Sequence, residues 1–150
     1  MHDQQTGAGG LALGLVMLLT TAFCIASLGI SIIVQSLIVS EISAKLAMVM
    51  TAWAGKSAHN GMNTYFVNAM HSMYRNLRLI AALMISFGIA TPLLQIASLT
   101  TTITGLVAAL ITVGISNRHF KGVTGDVMGA ANELARMTSL ILILVTLLWV

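Results

Sequence analysis

Long apolar runs are the feature that most constrains what this chain of 150 residues can fold into. They cover residues 11–39, 77–99, 103–115 and 137–150. A helix needs roughly 20 residues to cross about 30 Å of hydrocarbon. Only 7% of the residues are charged, whereas soluble domains carry about 25%. The sequence therefore predicts an all-α, polytopic membrane bundle that forms one membrane-embedded domain over residues 1–150.

The positions of the cations predict the orientation of this bundle. All seven lysine and arginine residues fall within residues 45–78 and 118–136. Because cations accumulate on the cytoplasmic side of a membrane, both segments are expected in the cytoplasm. The neutral residues 98–102 then form an outward-facing turn between two arms of a hairpin, the first of them kinked at Pro92. We expect a multi-pass protein of the cell (inner) membrane, in contact with lipid, and no nucleic-acid partner.

The first apolar run leaves two topologies open. Residues 11–53 form either one very long helix or two helices that turn near residues 27–31. Length favours two helices, because one helix would reach about 60 Å, twice the hydrocarbon thickness. Two helices give about five membrane spans, and the long helix gives four. The last span is expected to begin near Gly129 or Ala130, with Trp149 anchoring its outer end.

Two sets of polar side chains lie between the apolar runs. Glu41 and Lys45 are four residues apart, in the order that favours an ion pair on one helix face. At membrane depth such a pair indicates function, whereas at the interface it needs no special role. His71, Arg75 and Arg78 have the i, i+4, i+7 spacing of a basic stripe that would face the membrane surface or an anionic substrate. The alternative is a solvated cytoplasmic face beside lipid headgroups. The sequence leaves both readings of each set open.

A glycine-rich polar island at residues 118–136 holds three of the seven cations and two of the four anions. Within it, Thr124, Gly125 and Gly129 surround Asp126 just ahead of an expected helix. The amides of a helix N-terminus bind phosphate oxygens, and a nearby carboxylate can hold a hard cation that shares them. This set indicates magnesium-assisted phosphoryl or nucleotidyl transfer. The alternative is that Asp126 is only a helix cap and the glycines only allow close packing.

The polar island also carries a family resemblance. Residues 122–134, GVTGDVMGAANEL, with the apolar helix that follows, closely resemble the C-terminal motif of cobalamin synthase, the adenosylcobinamide-GDP ribazoletransferase. Met1-His2-Asp3, with Gly7 and residues 9–13, is similar to that family's internal M-x-D-S-x-x-G-x-x-G segment. The resemblance covers essentially all 150 residues and corresponds to the C-terminal three-fifths of a member.

The resemblance implies a transferase of cobalamin biosynthesis in the membrane. It would join adenosylcobinamide-GDP to α-ribazole or its 5′-phosphate, release GMP and use Mg²⁺ as its cofactor. By position, Asp3 and Asp126 are the candidate metal ligands, and Asp126 and Lys45 are the candidate catalytic residues. The candidate residues for binding substrate or phosphate are Thr124, Gly125, Gly129 and Arg118.

The chain departs from the family pattern at several places, among them Gln4 and Gln5, where the family has Ser and usually a basic residue. Lys121 replaces the first glycine of a Gly-Gly pair, and Arg136 stands where the family is usually acidic. An aspartate-rich segment of the family's N-terminal portion is absent from these residues. We therefore expect a portion of a longer or split protein, or a homo-oligomer. The alternative functions are a non-catalytic membrane subunit and a small transporter that uses Glu41 and Lys45.

Overall fold

The computed structural model describes residues 8–58 and 62–148, and this part of the chain folds into five α-helices. They are α1 (Ala8–Ser27), α2 (Ile33–Ala54), α3 (Met62–Met70), α4 (Arg75–Phe120) and α5 (Gly125–Leu148). All except α3 are long and apolar enough to cross a membrane. The predicted all-α, multi-pass architecture is confirmed, and Trp149 lies outside the described residues.

The first apolar run folds as a helical hairpin. α1 ends at Ser27 and α2 begins at Ile33. In the tight turn between them, the amides of Ile32 and Ile33 donate to the carbonyl of Gly29. The predicted turn near residues 27–31 is confirmed, and the single long helix is excluded.

α4 is a second hairpin. As one straight helix its 46 residues would extend about 69 Å, more than twice the hydrocarbon thickness. Its backbone leaves helical geometry at Leu94 and Gln95, where Gln95 has a φ of 47° and a ψ of −121°. The chain reverses there, so residues 75–93 form a first arm and residues 96–120 form a second. With the two arms counted separately, the bundle has five passes.

The reversal in α4 lies earlier than the sequence predicted. Residues 98–102 were the expected turn, but they are helical and begin the second arm. The hydroxyls of Thr101 and Thr102 donate to the carbonyl of Ser98 at 2.9 and 2.7 Å, and all three residues are buried. Hydroxyls bonded within their own helix allow polar residues to be buried there. The predicted turn at residues 98–102 is therefore wrong. Pro92, which has no amide proton, lies two residues before the observed reversal at Leu94 and Gln95.

α2 and α5 lie at the centre of the bundle and run antiparallel. Ser139 donates to Ser43 at 2.9 Å near the middle of both helices, and Ala52 near the end of α2 clusters with Met128 near the start of α5. The second arm of α4 packs on both helices. α1 packs on α5 and the first arm of α4 packs on α2, while α1 and α4 have little contact with each other.

The two ends of the bundle differ in character. The turn at residues 28–32 and the reversal at Leu94 and Gln95 form one end. We call the other the polar end. It contains the starts of α1, α4 and α5, the ends of α2 and α4, the short α3, and the segments 55–58 and 121–124.

Small side chains bring α2, α5 and the second arm of α4 into close contact. A Cβ atom added at Gly105 would overlap the hydroxyl of Ser43. Ala47, Ala109 and Ala135 are fully buried together where the same three helices meet. Lipid is as apolar as a leucine side chain, so membrane helices associate through close packing rather than through release from water. We call this three-helix contact the small-residue seam.

Gly105→Ala is expected to lower the free energy of unfolding by about 1–3 kcal/mol, because the new methyl group must displace the fully buried Ser43. Gly114→Ala is the matched control on the same arm, since no atom lies within 4 Å of its Cβ position. It should be neutral or stabilise by up to about 1 kcal/mol through helix propensity. Unfolding of purified protein in mixed micelles measures both values. An equal loss of unfolding free energy in the two variants would contradict the close contact of the helices at the seam.

Candidate functional site

The segment 121–124 between α4 and α5 is locked against the segment that follows α2. The amide of Val123 donates to the carbonyl of Lys56 at 2.7 Å, and the amide of Ala58 donates to the carbonyl of Val123 at 3.1 Å. Gly122 has a φ of 157°, and a Cβ there would lie 2.7–2.8 Å from backbone atoms of Lys56 and Ala58. Only glycine fits at this crossing.

Side chains from two further helices hold the same segment. The hydroxyl of Ser116 donates to the carbonyl of Gly122 at 2.6 Å, and the amide group of Asn63 donates to the carbonyl of Val123 at 2.9 Å. Lys121 ends α4 in the left-handed region, with a φ of 58°. Glycine is the usual residue at such a helix end, and another residue costs about 1–2 kcal/mol there. The departure at Lys121 is therefore tolerated at a cost in strain.

Thr124 caps the start of α5. Its hydroxyl accepts a hydrogen bond from the amide of Val127 at 3.3 Å, and its carbonyl accepts one from the amide of Met128. α5 therefore begins at Gly125, four residues before the earlier of the two predicted starts. Because Thr124 supplies the cap, Asp126 is free of that role. Asp126 lies in the first turn of α5.

The carboxylate of Asp126 is exposed and makes no hydrogen bond or ion pair with the residues that the structure describes. Gly125 and Gly129 are exposed as well, and no atom lies within 4 Å of their Cβ positions. They are therefore not close-packing points. Their bare backbone leaves open space beside a carboxylate and a helix start whose first amides lack intrahelical partners.

Exposed cations next to the α4–α5 connection lie at the same end of the bundle. Lys56 and Lys121 lie in the two locked segments, and Arg118 lies in the last turn of α4. The structure thus brings the predicted phosphate-binding residues, Arg118 among them, to the end of the bundle that carries Asp126. Sequence reasoning missed Lys56, because the pairing of Ser57 with Val123, which are 66 residues apart, leaves no local signal.

The predicted metal site is only partly within the described residues. Asp3 lies outside them, so its pairing with Asp126 stays a prediction. Within residues 8–58 and 62–148, no three His, Cys, Asp or Glu side chains are placed to hold a metal. Asp126 alone still suits Mg²⁺, which commonly binds one or two carboxylates together with substrate phosphates and water.

Lys45, the other candidate catalytic residue, lies at membrane depth. Its ammonium donates to the side-chain oxygen of Asn132 at 3.0 Å and lies 3.6 Å from the carboxylate of Glu41, which confirms the predicted ion pair. Asn132 is six residues beyond Asp126 on α5, or about 9 Å along the helix axis. The structure therefore does not bring Lys45 into contact with Asp126.

Glu41 and Lys45 belong to a closed ring of five side chains that joins α2 to α5. Arg136 donates to Glu41 at 2.6 Å and to both oxygens of Glu133 at 2.6 and 2.7 Å. Asn132 donates to Glu133 at 3.0 Å and completes the circuit to Lys45. We call this the ion ring. It holds two positive and two negative charges, about 12–20 Å from the polar end.

The chain matches the family described as cobalamin-5-phosphate synthase over residues 1–144. The chain belongs to this family. The adenosylcobinamide-GDP ribazoletransferase of Methanocella arvoryzae is 38% identical over 155 residues, covering 93% of this chain and 57% of the relative. The protein of the same name from Methanococcoides burtonii is 31% identical over 162 residues, covering 98% and 56% respectively. The family resemblance of the polar island is thereby confirmed.

This cobalamin-5-phosphate synthase family member spans less than three-fifths of the length of these two relatives. That length agrees with the predicted correspondence to three-fifths of a family member. No solved structure matches the chain.

The predicted basic stripe of this family member is wrong. The Nε2 atom of His71 lies 3.1 and 3.2 Å from the carbonyls of Ala52 and Trp53, and Arg75 donates to the carbonyl of Trp53 at 2.6 Å. The guanidinium of Arg75 also lies 4.7 Å from the centre of the Trp53 ring. The side chains of His71 and Arg75 therefore cover the end of α2, whose last carbonyls lack helical partners. Arg78 alone remains exposed.

Arg136→Leu is expected to lower the free energy of unfolding by about 1–3 kcal/mol, because it leaves the half-exposed Glu133 without its guanidinium partner and the ring with two negative charges and one positive charge. Adding Glu133→Gln restores zero net charge, since Glu41 keeps Lys45 as its partner, and should recover most of the loss. Unfolding in mixed micelles measures both variants. A double variant no more stable than Arg136→Leu would contradict the energetic role of the ring.

Proposed function

We propose that this chain carries the nucleotide-transfer site of a magnesium-dependent adenosylcobinamide-GDP ribazoletransferase. The reaction joins adenosylcobinamide-GDP to α-ribazole or its 5′-phosphate and releases GMP. The observation that carries the proposal is the exposed Asp126 in the first turn of α5, which has no partner among the described residues. It lies at the end of the bundle that also exposes Lys56, Arg118 and Lys121. Membership of the cobalamin-5-phosphate synthase family and the names of the relatives support it.

A cytoplasmic location of the polar end belongs to the same proposal. Five of the seven lysine and arginine residues lie at this end, and the other two belong to the ion ring. The positive-inside rule then predicts a cytoplasmic polar end for the bundle, which we place in the cell (inner) membrane. The five are Lys56, Arg75, Arg78, Arg118 and Lys121.

The proposed transfer is a displacement at phosphorus. A ribazole hydroxyl forms an O–P bond to the phosphoryl group that stays on cobinamide. The P–O bond to GMP breaks, its electron pair leaves with GMP, and the hydroxyl proton passes to water. Negative charge grows on the phosphate oxygens during this step, and Arg118, Lys121 and Lys56 supply the opposing charge. The first amides of α5 supply further donors.

The metal of this proposal would be held by Asp126, with Asp3 as the second candidate ligand. When bound, Mg²⁺ supplies charge neutralisation of the phosphate oxygens. Asp126 lies beside the helix start whose amides would orient the diphosphate. Gly125 and Gly129 leave room for it there, and the Thr124 cap holds the helix start in place.

Asp126→Asn is expected to lower the rate of GMP release by at least about a hundredfold, because the amide keeps the size of the side chain but loses the charge that holds the cation. The assay supplies adenosylcobinamide-GDP and α-ribazole with and without magnesium. The same variant should unfold like the unaltered protein, since its side chain has no partner among the described residues. Unchanged GMP release in Asp126→Asn, or none from the unaltered chain, contradicts the proposal.

Arg118→Gln is expected to raise the KM for adenosylcobinamide-GDP about tenfold, which corresponds to one charge-assisted hydrogen bond to phosphate. Arg78→Gln is the matched control, because Arg78 is also exposed at the polar end and loses the same charge. Its KM should stay unchanged. Equal increases in both variants would show that the surface potential, and not a contact from Arg118, attracts the substrate.

A further inference from the structure

Large apolar side chains cover the outer surface of the short stretch between α2 and α4. Tyr65 and Phe66 of α3 are 82% and 45% exposed. Met73 and Tyr74, which link α3 to α4, are 92% and 57% exposed. Exposed apolar surface of this kind marks contact with a protein or a membrane. We call residues 62–78 the surface segment.

α3 turns its other face to the bundle. Asn63, Val67 and Met70 have the i, i+4, i+7 spacing of one helix face, and Tyr65 lies on the opposite face. Val67 and Met70 are buried in a cluster with Val113, which lies seven residues, or about 10 Å, before the end of α4. α3 therefore lies at the level of the last turns of the bundle, where helices of this length leave the hydrocarbon.

The surface segment continues into an apolar side of the first arm of α4. Leu77, Ile80 and Met84 are all exposed and have the i, i+3, i+7 spacing of one helix face. The arm belongs to a helix that is apolar enough to cross a membrane, so this face contacts acyl chains. Met73 and Tyr74 directly precede it along the chain. A lipid contact of the surface segment would therefore continue the contact that the arm already makes.

The charge of the surface segment suits anionic headgroups. No Asp or Glu residue occurs in the sequence between Glu41 and Asp126, and Arg78 is exposed. Arginine and lysine residues at a membrane surface are attracted to anionic lipid, and tyrosine rings favour the interface. A second copy of the chain is a poorer partner, because a symmetric contact would place the same positive surface on both sides.

We propose that the surface segment lies in the headgroup layer and binds anionic phospholipid, with Tyr65 and Phe66 at the edge of the acyl chains and Arg78 on a lipid phosphate. α3 is then an interfacial helix, which lies in the membrane surface without crossing the bilayer. This inference does not rest on the proposed function. It places the membrane surface beside the candidate site, because Asn63 of α3 donates to the carbonyl of Val123 at 2.9 Å.

Fluorescence quenching in lipid nanodiscs tests the depth of the surface segment. Tyr65→Cys is made in a Cys24→Ala background, since Cys24 is the chain's one cysteine, and is labelled with a thiol-reactive bimane. Met84→Cys is the control for hydrocarbon, because it lies ten residues, or about 15 Å, beyond Tyr74 on the first arm. Lys121→Cys, exposed at the polar end, is the control for water. The quenchers are iodide in the buffer and a nitroxide on phosphatidylcholine, placed either near the headgroup or deep in the acyl chain.

The nitroxide near the headgroup should quench the label at Tyr65→Cys at least about twice as strongly as the deep nitroxide, because the proposed position is interfacial. The order should reverse for Met84→Cys. Iodide should quench Lys121→Cys at least about twice as strongly as Tyr65→Cys, because anions avoid the membrane interior.

A second measurement tests the preference for anionic lipid. With bimane at Met73→Cys, nitroxide-labelled phosphatidylglycerol should bind beside the label about five times better than labelled phosphatidylcholine, which corresponds to one cation at the membrane surface. Arg78→Gln should abolish this preference. Arg118→Gln is the matched control, because Arg118 is also exposed at the polar end but lies on the second arm. It should keep the preference.

Three kinds of result would overturn the proposal. Equal iodide quenching of Tyr65→Cys and Lys121→Cys would mean that the surface segment lies in water. Weak quenching of Tyr65→Cys by iodide and by both nitroxides would mean that protein, such as a second copy, covers it. A lipid preference that persists in Arg78→Gln, or that is lost equally in Arg118→Gln, would contradict the contact between Arg78 and a lipid phosphate.

Discussion

The small-residue seam is the contact on which the rest of this bundle depends. Ser43 sits at its centre, fully buried, where its hydroxyl donates to the carbonyl of Thr101 at 3.2 Å and accepts from Ser139 at 2.9 Å. One side chain on α2 thus ties both neighbouring helices together. Gly105 allows this approach because any side chain there would occupy the place of the Ser43 hydroxyl. In hydrocarbon, close contact of this kind supplies the attraction that water release supplies in soluble cores.

The register that the seam imposes makes the ion ring possible. Ser43 and Ser139 hold α2 against α5 so that Glu41 meets Arg136, with 2.6 Å between the bonded atoms. A slip of one helical turn, about 5.4 Å, would separate these charges and leave them unpaired at membrane depth. The ring side chains are 23–63% exposed, so their ion pairs add little stability of their own, and the seam supports the ring rather than the reverse. Pairing opposite charges within the ring lowers the cost of placing each of them at membrane depth.

The sequence predicted those features of the fold that depend on length and overall charge. The number of passes and the hairpin of α1 and α2 follow from the limited thickness of a bilayer. The reversal at Leu94 and Gln95 was missed because a serine and threonine run also suits a buried helix when its hydroxyls bond their own backbone. Local residue types cannot distinguish these two outcomes, since burial against α2 decides between them.

The sequence allowed the residues of the candidate site to be predicted, but not the side chains and carbonyls that they contact. The polar island around Asp126 carried the family motif. The contacts of His71 and Arg75, by contrast, depend on where α2 ends, because both side chains bond to its last carbonyls. Arg136 and Glu41 are 95 residues apart, so their bond has no counterpart in local spacing. The Glu133 to Arg136 spacing indicated only the part of the ring that lies within one helix.

The two polar regions are joined mechanically because α5 carries both. Asp126 begins this helix and Asn132 enters the ion ring one and a half to two turns later, so their separation is set by rigid helical geometry. Val123 fixes the start of α5 to the end of α2, and Ser43 fixes its middle to the middle of α2. A displacement at phosphorus needs the reacting atoms held about 3–3.5 Å apart, so the start of α5 must keep a constant position. The two contacts between α2 and α5, at Val123 and at Ser43, hold the start of α5 in this fixed position.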